Sequence, residues 1–164
     1  MTYTIRKATE GDLDTLLSIY EGARAFMRAT GNASQWAGKY PAREDTVRDI
    51  AEGRLYVYED GEGIGGVFVF FVGTDEVYTG IDGDWGSDAE VYGVMHRVAV
   101  ARHGAGIGAR LIDYAFAHSP ADLRIDTHAD NGPMRALLAR CGFVACGTVD
   151  YGEAGKRIAY RKTK

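Results

Sequence analysis

Cysteine is scarce in this chain. Among 164 residues only Cys141 and Cys146 occur, too few for a disulfide framework and not spaced as a C-x-x-C pair. Long apolar runs are missing as well: the longest, Val67 to Val72, has six residues and cannot span a bilayer, so no membrane partner is expected. The opening MTYTIRKATEGD is too polar for a signal peptide, which makes a reduced, cytoplasmic setting the expectation. Excess positive charge is lacking too. The formal charge is −4, which argues against nucleic acid as the main partner, because phosphate binding wants a basic surface. His96, His103, His118 and His128 show no metal-ligand spacing, so no metal is expected. Finally, no Gly-Lys-Ser/Thr occurs anywhere, which removes a Walker A loop.

What is present is a chain 46% hydrophobic and 26% charged, enough for one core. It shows no repeat, linker or low-complexity stretch, and reads as one α+β domain over residues 1–164. YTIRKA alternates as a strand. Thr9 followed by Asp12 reads as a helix start, and Leu13, Leu16, Leu17 and Tyr20 give an apolar face. That helix is expected to reach about Thr30, with Gly22 as a possible break, and a second covers roughly 42–52, ended by Gly53. Asp60-Gly61 marks a hairpin turn. Residues 74–90 read as an acidic, glycine-rich loop with six carboxylates and no Lys or Arg. Then follow a strand over 91–100, a glycine turn, a helix to about His118, the short strand LRIDTH, a helix within DNGPMRALLARCGF and a final hairpin around 152–155.

The glycine turn carries the functional signal. Gly104, Gly106 and Gly108 fall within five residues, between a strand and a helix. Gly104, Gly106 and Ala109 formally satisfy the dinucleotide pattern G-x-G-x-x-A, with Asp126 near the end of the next strand. The first glycine follows Val100 by four residues, however, and too little chain remains after Asp126 for repeated βαβ units. A helix opening at 104–109 leaves backbone N–H groups unpaired at the positive end of its dipole, which suits a pyrophosphate.

VAVARHGAGIG, residues 98–108, resembles the acetyl-CoA-binding motif of the GNAT N-acetyltransferase superfamily. His103 stands at its Gln/Arg position, and Gly106 and Gly108 at its two small positions. A second motif agrees: in DNGPMRALLARCGF, Asn131, Leu137, Gly142 and Phe143 match Asn-x-x-Ala-x-x-Leu-Tyr-x-x-x-Gly-Phe. The resemblance implies a mixed, mostly antiparallel sheet of about six to seven strands flanked by helices. It implies acetyl-CoA as acyl donor, held by Val98, Ala99, Val100, His103, Gly104, Ala105, Gly106, Ile107, Gly108, Ala109 and Asn131, with the strand splayed at a bulge beside the pantetheine arm. The activity implied is acetyl transfer to a primary amine, small molecule or peptide, in a ternary complex; a homodimer is left open.

One departure matters. Leu138 replaces the tyrosine that many relatives use to protonate the leaving thiolate. Cys141 lies one turn on, but completes an apolar face with Met134, Leu137 and Leu138. The loss leaves open a non-catalytic acyl-CoA-binding module as the alternative. His96 is the candidate proton acceptor, since imidazole titrates near neutral pH and no carboxylate occupies 91–100. Its neighbour Arg97 is expected to disfavour a second positive charge there. His128 is the weaker candidate. Trp36 and Tyr40 read either as walls of the acceptor pocket or as core, and Trp85 is a further possible wall. The basic residues of 97–110, set against the acidic segment beside the presumed mouth, predict a cationic acceptor.

Overall fold

The computed structural model describes residues 2–164. In chain order it contains β1 (Tyr3–Lys7), α1 (Leu13–Ala29), α2 (Arg43–Ala51), β2 (Leu55–Asp60), β3 (Gly63–Gly73), α3 (Glu76–Thr79), β4 (Asp82–Gly83), β5 (Tyr92–Val100), α4 (Ile107–Ala117), β6 (Leu123–Thr127), α5 (Gly132–Arg140), β7 (Val144–Asp150) and β8 (Lys156–Lys162). The Asp12 carboxylate accepts from the Thr9 N–H at 2.8 Å, as a capping box requires. Gly22 does not break α1.

The eight strands lie in the order β1-β2-β3-β5-β6-β8-β7-β4. The count exceeds the expected six to seven because β4, two residues within the acidic segment, pairs with β7 at the sheet edge. Two residues carry too little alternation to be read as a strand. The longest apolar run lies in β3, and its residues Val67 to Phe70 are buried on both faces of the sheet. Val67 and Val69 meet Leu16, Ile19, Tyr20 and Ala23 of α1. Phe68 and Phe70 meet Ile107, Leu111 and Ala115 of α4, the face read from the sequence.

Two irregularities of β5 position everything that follows. Against β3, Val69 pairs with His96 and Val67 with Ala99, so Phe68 faces two residues of β5. This is a bulge, and Arg97 at its centre has φ 47°. Against β6, pairing stops after Gly93↔Leu123 and Val94↔Arg124. Beyond Val94 the two parallel strands diverge, and the backbone of residues 95–100 has no strand partner on that side. This is the splay that the resemblance implies.

Candidate active site

Beyond the divergence lies a groove of about 580 Å³ between β5, the start of α4 and α5. Of the residues expected to hold the acyl donor, Val98, Ala99, Val100, His103, Gly104, Gly106, Ile107, Gly108, Ala109 and Asn131 line it; Ala105 does not. The glycines serve different ends. Gly104 and Gly106 have φ 79° and 76°, a region an L-residue enters at a cost, and a Cβ at either would meet no atom within 4 Å. Gly108 is needed for packing: its Cβ would stand 2.8 Å from Leu137 Cδ2 of α5. Gly108 thus lines the groove and also lets α4 approach α5. An open helix start beside an unpartnered strand edge is a cradle that fits a pyrophosphate and an extended amide-bearing arm.

The basic stretch does not act as one field. Arg97 pairs with Asp49 at 2.8 Å and Arg102 with Asp60 at 2.7 Å. Arg110 donates to the Tyr58 hydroxyl at 3.0 Å, and His103 stacks on Phe26 with ring centroids 3.8 Å apart. Asn131 caps α5, its Oδ1 accepting from the Met134 N–H, while its Nδ2 donates to Gln35 Oε1. Leu138 is fully buried in the core. Cys141 lines the groove half-buried, and burial raises its thiol above the ordinary range.

A second cavity, of about 520 Å³, opens between the diverging strands on the α1 side of the sheet. Met27, Val98, Asn131 and Met134 line both, so the two spaces meet there. Trp36 and Tyr40 form one wall. Trp36 is also packed edge-on against Tyr20 in the core, so both readings of it hold. Tyr40 accepts from Arg97 Nη1 at 2.9 Å. Trp85 is not a wall: it is buried beside Tyr78, and its indole N–H donates to the Tyr78 carbonyl.

His96 also lines this cavity, and its surroundings differ from those expected. The Arg97 guanidinium is turned to Asp49, whereas two carboxylates from other elements reach the imidazole. Asp75, before α3, lies 2.7 Å from Nε2; Asp126 of β6 lies 3.9 Å from Nδ1. Burial works to raise the Asp75 carboxyl, but the hydrogen bond and charge of His96 and the Val77 amide outweigh it, so the group sits below its usual range. With Asp75 ionised, the hydrogen is assigned to Nε2 and the lone pair to Nδ1. Asp126 Oδ2 in turn accepts from the Tyr78 hydroxyl at 2.7 Å and the Tyr151 hydroxyl at 2.6 Å. Burial, followed by the Asp126 charge, pushes both phenols up and keeps them as donors.

The acidic segment is not the mouth. Of its six carboxylates only Asp75 approaches His96, and none lines the cavity. His128 is structural: it contacts the Ser34 hydroxyl and accepts from the Asp130 N–H. Sequence reasoning missed Asp75 as a partner of His96, Tyr151, Arg157 and Gln35. Gln35 Oε1 lies within 3.2 Å of donors on Asn32, Thr127, His128 and Asn131, and so pins the loop carrying Trp36 to β6 and α5. No local pattern marks the last three of these contacts, which span more than ninety residues.

The family model described as the acetyltransferase (GNAT) family matches residues 16–143, more than half of the chain. An acetyltransferase of the GNAT family from Streptococcus agalactiae 2603 is similar over 99% of this chain and 95% of its own, with 31% identity and a TM-score of 0.90. A putative acetyltransferase from Staphylococcus aureus Mu50 is similar over 98% of each chain, with 29% identity and a TM-score of 0.72. The NatC complex bound to Gag peptide and CoA contains a chain of the same fold at 14% identity, TM-score 0.63, covering 100% of this chain and 99% of that one. No curated relative matches the chain. The splayed strand, the glycine-lined helix start and the matched model agree: this chain belongs to the acetyltransferase (GNAT) family.

Proposed function

We propose that the protein, acting as one unit over residues 1–164, transfers an acetyl group from acetyl-CoA to a primary amine by direct attack in a ternary complex. The observation that carries this reading is the meeting of the two cavities at Val98, Asn131 and Met134, with His96 on the wall of the second. Val98, Ala99 and Val100 offer the unpartnered strand edge to the pantetheine arm. Residues 104–109 offer backbone N–H groups to the pyrophosphate. Acetyl-CoA, when bound, supplies the acyl group as an activated thioester.

An ammonium ion has no lone pair with which to attack, so a proton must leave it first. His96 Nδ1 accepts that proton, directly or through one water. Asp75 fixes the tautomer and orientation of the ring, and Asp126 stabilises the imidazolium that forms. Binding both reactants beside this histidine supplies the positioning part of catalysis. The missing tyrosine at Leu138 is tolerable because a thiol of ordinary pKa about 8.5 leaves without a strong acid.

The test is release of free CoA thiol across a panel of amines. His96→Gln should lower kcat by about 10²–10⁴, the usual range for a positioned base, while acetyl-CoA affinity is kept. Binding of acetyl-CoA without thiol release for any amine would establish the non-catalytic module instead.

A further inference from the structure

The acceptor cavity holds a second charged group that the transfer step does not use. Arg157 of β8 is only 7% exposed and lines the cavity, yet no carboxylate among the described residues lies within 4.0 Å of it. Its hydrogen bonds are all to carbonyls: Nη1 donates to Ala154 and Lys156 at 2.7 and 3.3 Å, and Nη2 to Gln35 at 3.0 Å. The Nε–H and one N–H of Nη2 have no partner among the described residues. Its Nε is not sealed off, so the free donor faces the cavity, where a carboxylate can reach it.

The register fixes where this cation stands relative to the amine site. Asp126 pairs with Ala159, and Arg157 lies two residues before Ala159 on the same face of the sheet. Asp126 and Arg157 are thus diagonal neighbours, with Cα atoms at a spacing of roughly 7–8 Å. Between them stands Tyr151, bonded to Asp126 and lying under the Arg157 guanidinium, 5.7 Å from centroid to charge. The two opposite charges do not pair with each other. Glu153, the other acidic residue of the lining, is exposed and beyond 4.0 Å of Arg157.

We propose that the acceptor is a small zwitterion, a primary amine that also carries a carboxylate, as in an amino acid. Its ammonium lies against Asp126 and His96, and its carboxylate takes the two free N–H donors of Arg157 as charge-assisted hydrogen bonds. Trp36, Tyr40 and Met27 leave an apolar wall for the remaining side chain. A single cation beside an existing carboxylate suits a monoanion better than a phosphate, which carries nearly two charges. This replaces the purely cationic acceptor expected from the acidic segment. It rests on the transferase reading and names the substrate class of the same site.

The experiment measures thiol release with the common amino acids, their amides and the matching decarboxylated amines. For the preferred side chain the acid should exceed its amide and its amine by about a hundredfold or more in kcat/KM, because each analogue leaves the buried guanidinium unpaired. Arg157→Gln should bring the acid-to-amide ratio to within a few fold of one. That ratio is internal to each protein, so a lowered fraction of folded enzyme cancels from it. Acetylation of amides or simple amines as readily as acids, or a ratio unchanged by Arg157→Gln, overturns the zwitterion while leaving the transferase intact. No thiol release with any of the three sets overturns the transferase reading and the zwitterion with it.

Discussion

Replacing Arg97 by methionine should cost far more stability than the loss of an exposed ion pair. Asp49 of α2 is 2% exposed, and among the described residues the only groups bonded to its carboxylate are Nε and Nη2 of Arg97, at 2.8 and 2.9 Å. Removing the guanidinium leaves that carboxylate buried and unpaired, a loss of about 3–5 kcal/mol. At about 2–4 °C per kcal/mol for a chain of this size, the melting temperature should fall by roughly 6–20 °C. Urea denaturation should show the midpoint move with the slope unchanged. Asp49→Leu added to Arg97→Met removes the stranded charge and should recover most of the loss. A cost under about 1 kcal/mol, the range of exposed ion pairs, would show that Asp49 reaches water and that the bulge is not anchored as described.

Asp75→Asn keeps an oxygen for the Val77 cap but no longer dictates the His96 tautomer; kcat should fall by about 10²–10⁴ with acetyl-CoA affinity kept, and a loss under about tenfold in steady-state assays would refute the role. Because the Asp75 carboxyl is depressed in the folded state, its contribution to stability is present above the unfolded value of about 3.9 and is lost as pH falls through the folded value. Wild type should therefore exceed Asp75→Asn in urea melts at neutral pH, with the gap closing below about pH 4; equal stability at pH 7 refutes this. Gly108→Ala should be rescued by Leu137→Ala, which removes the 2.8 Å clash, whereas Gly106→Ala should not, since its strain is in the backbone; calorimetric titration with acetyl-CoA distinguishes them. Cys141→Ala should keep kcat within about tenfold, and a hundredfold drop with stability intact would make the thiol the missing acid.

The elements that announce themselves in the sequence are those whose cause is local. The capping pair Thr9 and Asp12, the turn at Asp60-Gly61 and the helix face Ile107, Leu111 and Ala115 each depend on neighbours within a turn or two, and all are found. The groove was legible for the same reason, since strand, glycines and helix start are contiguous. The cavity proposed for the acceptor was legible only in part. His96, Trp36 and Tyr40 do line it, but what surrounds His96 arrives from elsewhere: Asp75 from before α3 and Asp126 from β6, twenty-one and thirty residues away. Arg157 was invisible because its significance is a missing partner, and a missing partner has no pattern. Trp85 misled because a large aromatic in a glycine-rich loop fills core or lines a pocket with equal ease, and only packing against Tyr78 decides between them.

The bulge at Arg97 explains how one strand can serve two sites. In a regular strand alternate residues share a face, so His96, Val98 and Val100 would all point the same way. Here Val94 and His96 face the α1 and α3 side, while Val98 and Val100 pack with the α4 core and Ala99 returns to the α1 side. The alternation inverts at Arg97. Residues before it place His96 in the cavity walled by Trp36 and Tyr40; residues after it turn their backbone toward the groove at the start of α4. A left-handed arginine costs about 1–2 kcal/mol, which the fold must offset. The Asp49 pair from α2, the Tyr40 contact from the loop before it and the Tyr20 hydroxyl of α1 bonded to the Arg97 carbonyl do so together. An ordinary strand would keep the sheet but would turn either His96 or the unpartnered strand edge away from the point where the cavities meet. The strain at Arg97 is thus a condition of the geometry on which the proposed transfer rests.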